Sequence, residues 1–484
     1  MSTDLFSDTP TPSKPAKNRA VLIGGGALAA VAVIAGAVFG MQALNAHDKA
    51  ATDAARASNA PTSALSFTGL TRAITLHDKK AALGYATGDA TPALTRWIDN
   101  METIGYTVGG IEAINPDTRT GTQTLPCKTD AATCDLTVRL GTAKPGSLTF
   151  PTTGKPDATL TTSSTYKATL ALTPGQGDGY RITTLESVDH APWDGADLEA
   201  VHGDGVTIVG VKGSTTELDK ALPGAQTAAR NFKVIFGTDT PTNVSGGVLR
   251  DQILFLPPDQ ATFSAWFARP EGRIAEADGL TFARPSLNYG DALTGTKHDG
   301  AALPGTAATG ALAVTASPAH LQDSATRAGM TYDEAVAAVA LHEWTHAFYY
   351  AFVPSDVLMG TTALGPLTLN ACTVEGVARY TETLAPQGGN WRTATIGNLL
   401  SRGTVNFAQL DYPTSIFYKG TPAQNTGHYN GCASAFYYLA TQGHDPFAAA
   451  KRAYLAQQDT ITPAFPGGAA DKTAWEAWAR THTG

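Results

Sequence analysis

The sequence predicts an α+β protein in which one N-terminal transmembrane helix is followed by two extracytoplasmic domains. At 484 residues the chain is too long for one ordinary hydrophobic core. An uncharged apolar run near the N-terminus is long enough to cross a bilayer. Behind it, helix and strand signals alternate without the regular spacing of a doubly wound sheet, which favours the α+β class.

The composition excludes several classes of protein. Apolar residues make up 43% of the chain and charged residues 16%, so packed cores are expected rather than disorder. The formal net charge is -8, and the part after the apolar run has no cluster of Lys and Arg. We therefore expect no nucleic-acid partner.

The N-terminal segment predicts a membrane anchor. Ala20–Leu44 is uncharged throughout and, as a helix, spans about 30 Å of hydrocarbon. Basic residues at the end of residues 1–19 directly precede it, which predicts a cytoplasmic tail 1–19 and places the rest of the chain outside the membrane. A cleaved signal peptide is the alternative, but its leader would be long and partly acidic, and Leu44–Ala46 is a poor cleavage site.

A small α+β domain is predicted between the anchor and the C-terminal half. Residues 45–64 are small and polar, as in a linker. Helical patterning from Leu65 to about Thr107 gives way to alternating strands, with a hairpin turn at Pro174–Gly179. Helices followed by an antiparallel curved sheet resemble the cone-shaped nuclear-transport-factor-like fold. This resemblance implies a membrane-proximal domain over residues 65–197.

The second domain is predicted over residues 198–484. Val206–Val211 reads as an apolar strand, and Ile253–Leu256 reads as another that stops at two prolines. Gly224–Phe236 reads as a helix. Gly310–Thr315 is a further short strand, and it is the predicted exposed edge on which a peptide could lie.

The decisive motif lies on a predicted helix, Tyr332–Phe352. Within it, His342 and His346 are separated by one helical turn, and Glu343 lies beside them. Two imidazoles on one face can bind one zinc ion, and a nearby carboxylate can accept the proton of a water. A surface helix with three polar residues is the alternative. The flanking residues are apolar nearly all round, which favours a buried helix whose polar groups need a partner such as a metal.

A second predicted helix supplies the third ligand. It runs from Asn370 to Glu382 and carries Glu375 followed by Gly-Val-Ala-Arg-Tyr. HExxH followed by an E-G-x-A-x-Y helix resembles the gluzincin zinc metallopeptidases of the peptidase MA-like group. The resemblance covers about Val206 to the C-terminus and implies a zincin-like fold, one Zn²⁺ per chain and a peptide or protein substrate. It assigns the metal ligands and the general base, which are His342, His346, Glu375 and Glu343. Glu382, two turns along the same helix, is the competing carboxylate.

Two residues of a later helix are candidates for stabilising the transition state. Tyr429 lies where the family often has a tyrosine, and His428 adjoins it. An ordinary core aromatic remains the alternative for Tyr429.

The four cysteines agree with an oxidising compartment. Cys127 and Cys134 are typical of a local loop bridge, which leaves Cys372 and Cys432 for a longer one. Three pairings are possible in principle, and the sequence does not choose among them. The longer bridge would join the helix of Glu375 to the helix of Tyr429.

The sequence therefore predicts a membrane-anchored, extracytoplasmic zinc peptidase. Two alternatives remain, namely an inactive relative that binds peptide without turnover, and a non-enzymatic envelope protein that docks a partner. The sequence does not specify a substrate or a cleavage site.

Overall fold

Two five-stranded β-sheets organise the part of the chain that the structure, a computed structural model, describes. It describes residues 65–106, 108–114, 121–128, 131–143, 149–150, 158–159, 161–173, 178–236, 252–266, 277–284, 310–350, 369–384, 400–401, 403–456 and 458–482. The predicted tail, transmembrane helix and linker, residues 1–64, lie outside this part. Within it, no helix combines the length and apolar character needed to cross a membrane.

The N-terminal half of the described chain begins with helices and continues as an antiparallel sheet. Its elements are α1 (Thr68–Thr75), α2 (Lys79–Leu83), α3 (Ala90–Ile104), β1 (Val108–Ile114), β2 (Gly121–Thr122), β3 (Thr133–Ala143), β4 (Thr149–Phe150), β5 (Ala158–Thr159), β6 (Thr161–Leu172), β7 (Tyr180–Ser187) and α4 (Pro192–Gly195). The sheet has the order β2-β1-β3-β6-β7, and every neighbouring pair is antiparallel. Strands β4 and β5 pair with each other.

Helix α3 packs on this sheet because its apolar residues recur at helical spacing. Leu94, Trp97, Ile98 and Met101 are all buried on the helix. They belong to the same hydrophobic cluster as Leu140 of β3. Helices followed by antiparallel strands confirm the α+β class predicted for the chain.

The C-terminal half contains a mixed sheet and most of the helices. Its elements are β8 (Leu198–Gly203), β9 (Val206–Val211), α5 (Thr215–Phe236), β10 (Gln252–Phe255), α6 (Gln260–Ala265), β11 (Gly279–Arg284), β12 (Gly310–Thr315), α7 (Pro318–Ala328), α8 (Tyr332–Tyr350), α9 (Ala371–Thr383), α10 (Thr414–Phe417), α11 (Pro422–Thr441), α12 (Pro446–Ala456), a 3-10 turn (Thr462–Ala464) and α13 (Ala469–Thr481).

The mixed sheet has the order β11-β12-β10-β9-β8. Its three central strands are parallel, and the outer strands β8 and β11 run antiparallel to their neighbours. The prediction that β12 is the exposed edge is wrong, because β12 pairs with β10 on one side and with β11 on the other. Strand β11, which the sequence did not reveal, is the edge strand on this side of the described sheet.

The mixed sheet is covered on both faces. Ile208 and Leu254 belong to the hydrophobic cluster that contains α5 and α8. Their neighbours Val209 and Phe255, together with Val314, belong to the cluster of the N-terminal helices and sheet. Because successive residues of a strand point to opposite faces, each strand contributes to both clusters. Leu65–Gly484 accordingly forms one compact unit.

Helix α8 lies inside the helical layer and is buried on almost every side. It contacts α5, α9 and β12. Trp344 packs edge-on against Phe232, with ring centroids 6.1 Å apart, and its Nε1–H donates to the carbonyl of Ile253 at 3.0 Å. The burial predicted from the apolar flanks of the HExxH motif is confirmed.

Two disulfides are present, and they follow one of the three pairings that the sequence left open. Cys127 is bonded to Cys134, and Cys372 is bonded to Cys432. The second bridge joins α9 to α11 where the two helices approach closely, since a Cβ at Gly376 would lie 2.9 Å from the backbone carbonyl of Cys432. Glycine is therefore required at this crossing.

Candidate metal centre

Helix α8 places the two histidines of the HExxH motif side by side. The rings of His342 and His346 have centroids 4.6 Å apart and are nearly perpendicular. Residues four apart share one face of a helix, which explains why both rings point to the same space.

Helix α9 brings Glu375 against both imidazoles. Its Oε2 lies 3.1 Å from Nε2 of His342 and 3.4 Å from Nε2 of His346. Asn370 caps the helix by accepting from the backbone N–H of Thr373 at 3.0 Å. This cap fixes the N-terminus of α9, the helix that carries Glu375.

These three side chains form a group that could hold a metal ion. One ligand atom from each of His342, His346 and Glu375 lies within 4.8 Å of the other two. Two imidazole nitrogens and one carboxylate oxygen suit zinc, although the same donors also accept other divalent transition metals. The donor chemistry thus fits the predicted metal, and all three predicted ligands meet at one point.

Electrostatics in the candidate centre favour positive charge. Burial lowers the pKa of His342, but hydrogen bonds with Glu375 and Glu382 outweigh it and raise that pKa to about 10. Burial raises the pKa of Glu375, but the charges of His346 and His342 and their hydrogen bonds bring it well below its usual range. A buried cation, either a proton or a metal, is therefore stabilised between these groups.

Glu382, the competing carboxylate, lies behind His342. Its Oε1 is 2.6 Å from Nδ1 of His342, and its Oε2 pairs with the guanidinium of Arg379. Arg379 in turn donates through Nε to the side-chain oxygen of Asn430 on α11 at 3.1 Å. Such a carboxylate orients a ligand histidine and keeps Nε2 directed toward the metal. The metal-binding group contains Glu375 and does not contain Glu382.

Glu343 is held against the edge strand β11. The Thr281 hydroxyl donates to Glu343, with its oxygen 2.7 Å from Oε2 and 2.8 Å from the backbone carbonyl. A Cβ at Gly279 would lie 2.7 Å from Oε1 of Glu343, so β11 passes directly over this carboxylate. Burial raises the pKa of Glu343, while His342, His346 and the bond from Thr281 act to lower it.

The two candidate donors of α11 are placed differently. The ring of Tyr429 lies 6.0 Å from the ring of His342. Burial and the negative charge of Glu375 raise the pKa of Tyr429, so its hydroxyl stays protonated and can donate. Nδ1 of His428 lies 2.7 Å from the carbonyl oxygen of Phe417, and its ring packs against Tyr412. None of the described contacts of His428 is with the metal-binding group. A catalytic role for either residue stays a prediction.

Tyr418 is part of the centre and was missed from the sequence. Its hydroxyl donates to Oε1 of Glu375 at 2.6 Å. Burial of the hydroxyl and the charge of Glu375 raise the pKa of Tyr418. No sequence signal identified it, since it follows the short helix α10 far from the HExxH motif.

Comparisons with known proteins identified no relative of the chain. No protein family, curated protein or solved structure matches the chain. The resemblance to gluzincins therefore remains an interpretation of the motifs, and function is inferred from the geometry of the metal centre and its chemistry.

Proposed function

We propose that the chain is a membrane-anchored zinc metallopeptidase of the gluzincin type, which hydrolyses peptide bonds outside the cytoplasmic membrane. The observation that carries this proposal is the convergence of His342, His346 and Glu375 beside Glu343 in a buried centre. Two neutral imidazoles and one carboxylate are a ligand set that catalytic zinc sites use. When bound, zinc polarises a carbonyl and lowers the pKa of a water to about 7.

In this proposal Glu343 is the general acid and base. It accepts the proton of the attacking water and then delivers it to the leaving amine. Burial helps, because a raised pKa makes the carboxylate a stronger base and its acid a competent donor. Thr281 fixes the carboxylate from the side of the sheet.

Tyr429 is the proposed donor to the substrate carbonyl oxygen. A fixed O–H group is most effective where negative charge develops during attack, and removing one such donor costs about 10²–10³ in rate. The hydroxyl of Tyr429 stays protonated because burial and nearby carboxylates raise its pKa.

Strand β11 is the proposed docking strand for the peptide. It pairs with β12, and its other edge has no strand partner among the described residues, which supports pairing with a further strand there. It also touches Glu343 through Thr281, so a peptide paired with it would lie next to the general base. Main-chain pairing gives affinity without strong choice of side chain.

The location outside the membrane rests on the sequence and on the cysteines. The uncharged run Ala20–Leu44, preceded by basic residues, supports a single span with the N-terminus in the cytoplasm. Both disulfides support an oxidising compartment for the described residues.

The test is metal analysis and hydrolysis by the full chain in detergent. We expect about one zinc per chain and cleavage within an unbiased peptide mixture, both lost on chelation. Glu343→Gln should bind zinc and lose hydrolysis, and the matched control Glu102→Gln, an exposed residue of α3, should retain both. Zinc without hydrolysis would favour an inactive peptide-binding relative, and absence of both would favour a non-enzymatic envelope protein.

A further inference from the structure

Tyr418 reaches the metal centre from a partly exposed position. The residue is 50% exposed, yet its hydroxyl lies 2.6 Å from Oε1 of the buried Glu375. The preceding residue, Phe417, is fully buried and packs against Tyr429, with ring centroids 5.1 Å apart. This packing anchors the end of α10 and fixes the direction from which Tyr418 approaches.

The two oxygens of Glu375 consequently have separate partners. Oε2 faces the Nε2 atoms of His342 and His346, whereas Oε1 accepts from Tyr418. A carboxylate whose second oxygen accepts a strong hydrogen bond presents one oxygen to a metal. This matters because a catalytic zinc site has three protein ligand atoms and leaves one position for water or substrate. A carboxylate that bound through both oxygens would compete for that position.

We propose that Tyr418 is a positioning residue that holds Glu375 as a one-oxygen ligand and so keeps the reactive position of the metal free. The proposal rests on the metal centre of the proposed function. Tyr418 acts through Glu375 and needs no contact with substrate. Tyr429 differs, since its hydroxyl has no described hydrogen bond to Glu375, although both tyrosines pack against Phe417.

Zinc affinity and zinc coordination test this role independently of hydrolysis. We would measure the zinc dissociation constant of the full chain by competition with a chromophoric chelator. Tyr418→Phe should weaken zinc binding about 10- to 100-fold, as expected for loss of an outer partner of a ligand. Tyr429→Phe, the matched control, removes a hydroxyl from the same centre and should leave zinc affinity within about twofold. X-ray absorption of the zinc-loaded Tyr418→Phe variant should show an added oxygen ligand at the metal.

A double-mutant cycle separates positioning from general damage to the fold. In a Glu375→Ala background, Tyr418→Phe should cause little further loss of zinc affinity, because the two residues act as a unit. Thermal unfolding of the metal-free variants checks that they fold.

Each outcome decides the proposal. Unchanged zinc affinity and coordination in Tyr418→Phe would overturn the role of Tyr418 while leaving the metal centre intact. Equal losses with and without Glu375 would also overturn it. Failure of the unaltered chain to bind zinc would refute the metal centre itself, and this result is distinguishable from the other two.

Discussion

Glu382 offers the sharpest test of how the candidate metal centre is built. Both of its oxygens have partners, since Oε1 lies 2.6 Å from Nδ1 of His342 and Oε2 pairs with Arg379. Glu382→Gln keeps the size of the side chain and removes its charge. The substitution therefore perturbs the orientation of His342 without removing a predicted ligand.

The expected loss follows from this outer position. The amide oxygen of Gln can still accept from Nδ1–H of His342 but carries no charge, and altering the outer partner of a ligand histidine costs about 10- to 100-fold in metal affinity, or about 1.4–2.8 kcal/mol. Glu375→Gln should cost more, because it removes a ligand charge that lies against both imidazoles. The metal-free fold should also lose stability. Breaking a fully buried ion pair costs about 3–5 kcal/mol, and the loss here should be smaller because the Arg379 side chain is 21% exposed.

The assay is competition for zinc between a chromophoric chelator and each variant, with urea unfolding of the metal-free proteins alongside. Glu476→Gln is the matched control, since Glu476 also belongs to an ion pair, with Lys472 at 2.8 Å, but lies on α13. It should leave zinc affinity unchanged. If Glu382→Gln weakened zinc binding as much as Glu375→Gln, Glu382 would be a zinc ligand. Glu382→Gln without any effect would show that the contact with His342 is not functional.

Three further predictions concern catalysis and stability. Glu343 must be ionised to accept a proton, so hydrolysis should fall as the pH drops through its raised pKa. Thr281→Val should move this acid limb of the pH–rate profile to higher pH, because the hydrogen bond from Thr281 lowers that pKa. A pH–rate profile whose acid limb does not move would contradict the contact. Replacing Cys372 and Cys432 by Ala should lower the free energy of unfolding in urea by about 4 kcal/mol, since the bridge closes a loop of 60 residues. Loss of the shorter bridge should lower it by about 2 kcal/mol. Equal losses would argue against this entropic account. Free zinc at a hundred times its dissociation constant should stabilise the fold by about 2.7 kcal/mol, and a midpoint that does not respond to zinc would speak against the centre.

The parts of the centre that follow from local periodicity were predictable. His342 and His346 share a helix face by their spacing alone, and the apolar residues around them correctly indicated a buried helix. Glu375 was found through the motif that surrounds it on its own helix.

The parts that depend on how distant segments meet were not predictable. Thr281 touches Glu343 from a strand 62 positions earlier in the chain, and Tyr418 reaches Glu375 from 43 positions later. No sequence period links such pairs. Strand β11 was not predicted from the sequence, and the edge was therefore assigned to β12, its neighbour in the sheet. The sequence indicates that Glu382 is a carboxylate on the same helix as Glu375. Only the crossing of α8 and α9 decides which of the two carboxylates contacts the Nε2 atoms of the histidines.

The mixed sheet with two covered faces has a consequence for dissecting the protein. Val209, Phe255 and Val314 point away from the helices of the candidate metal centre and into the N-terminal cluster. A fragment that begins at residue 198 would expose these side chains to water, and we expect it to aggregate or to unfold at lower denaturant concentrations than the whole chain. The segment before residue 198 therefore serves as one wall of the hydrophobic interior of the C-terminal half, and the two halves should unfold in a single cooperative step.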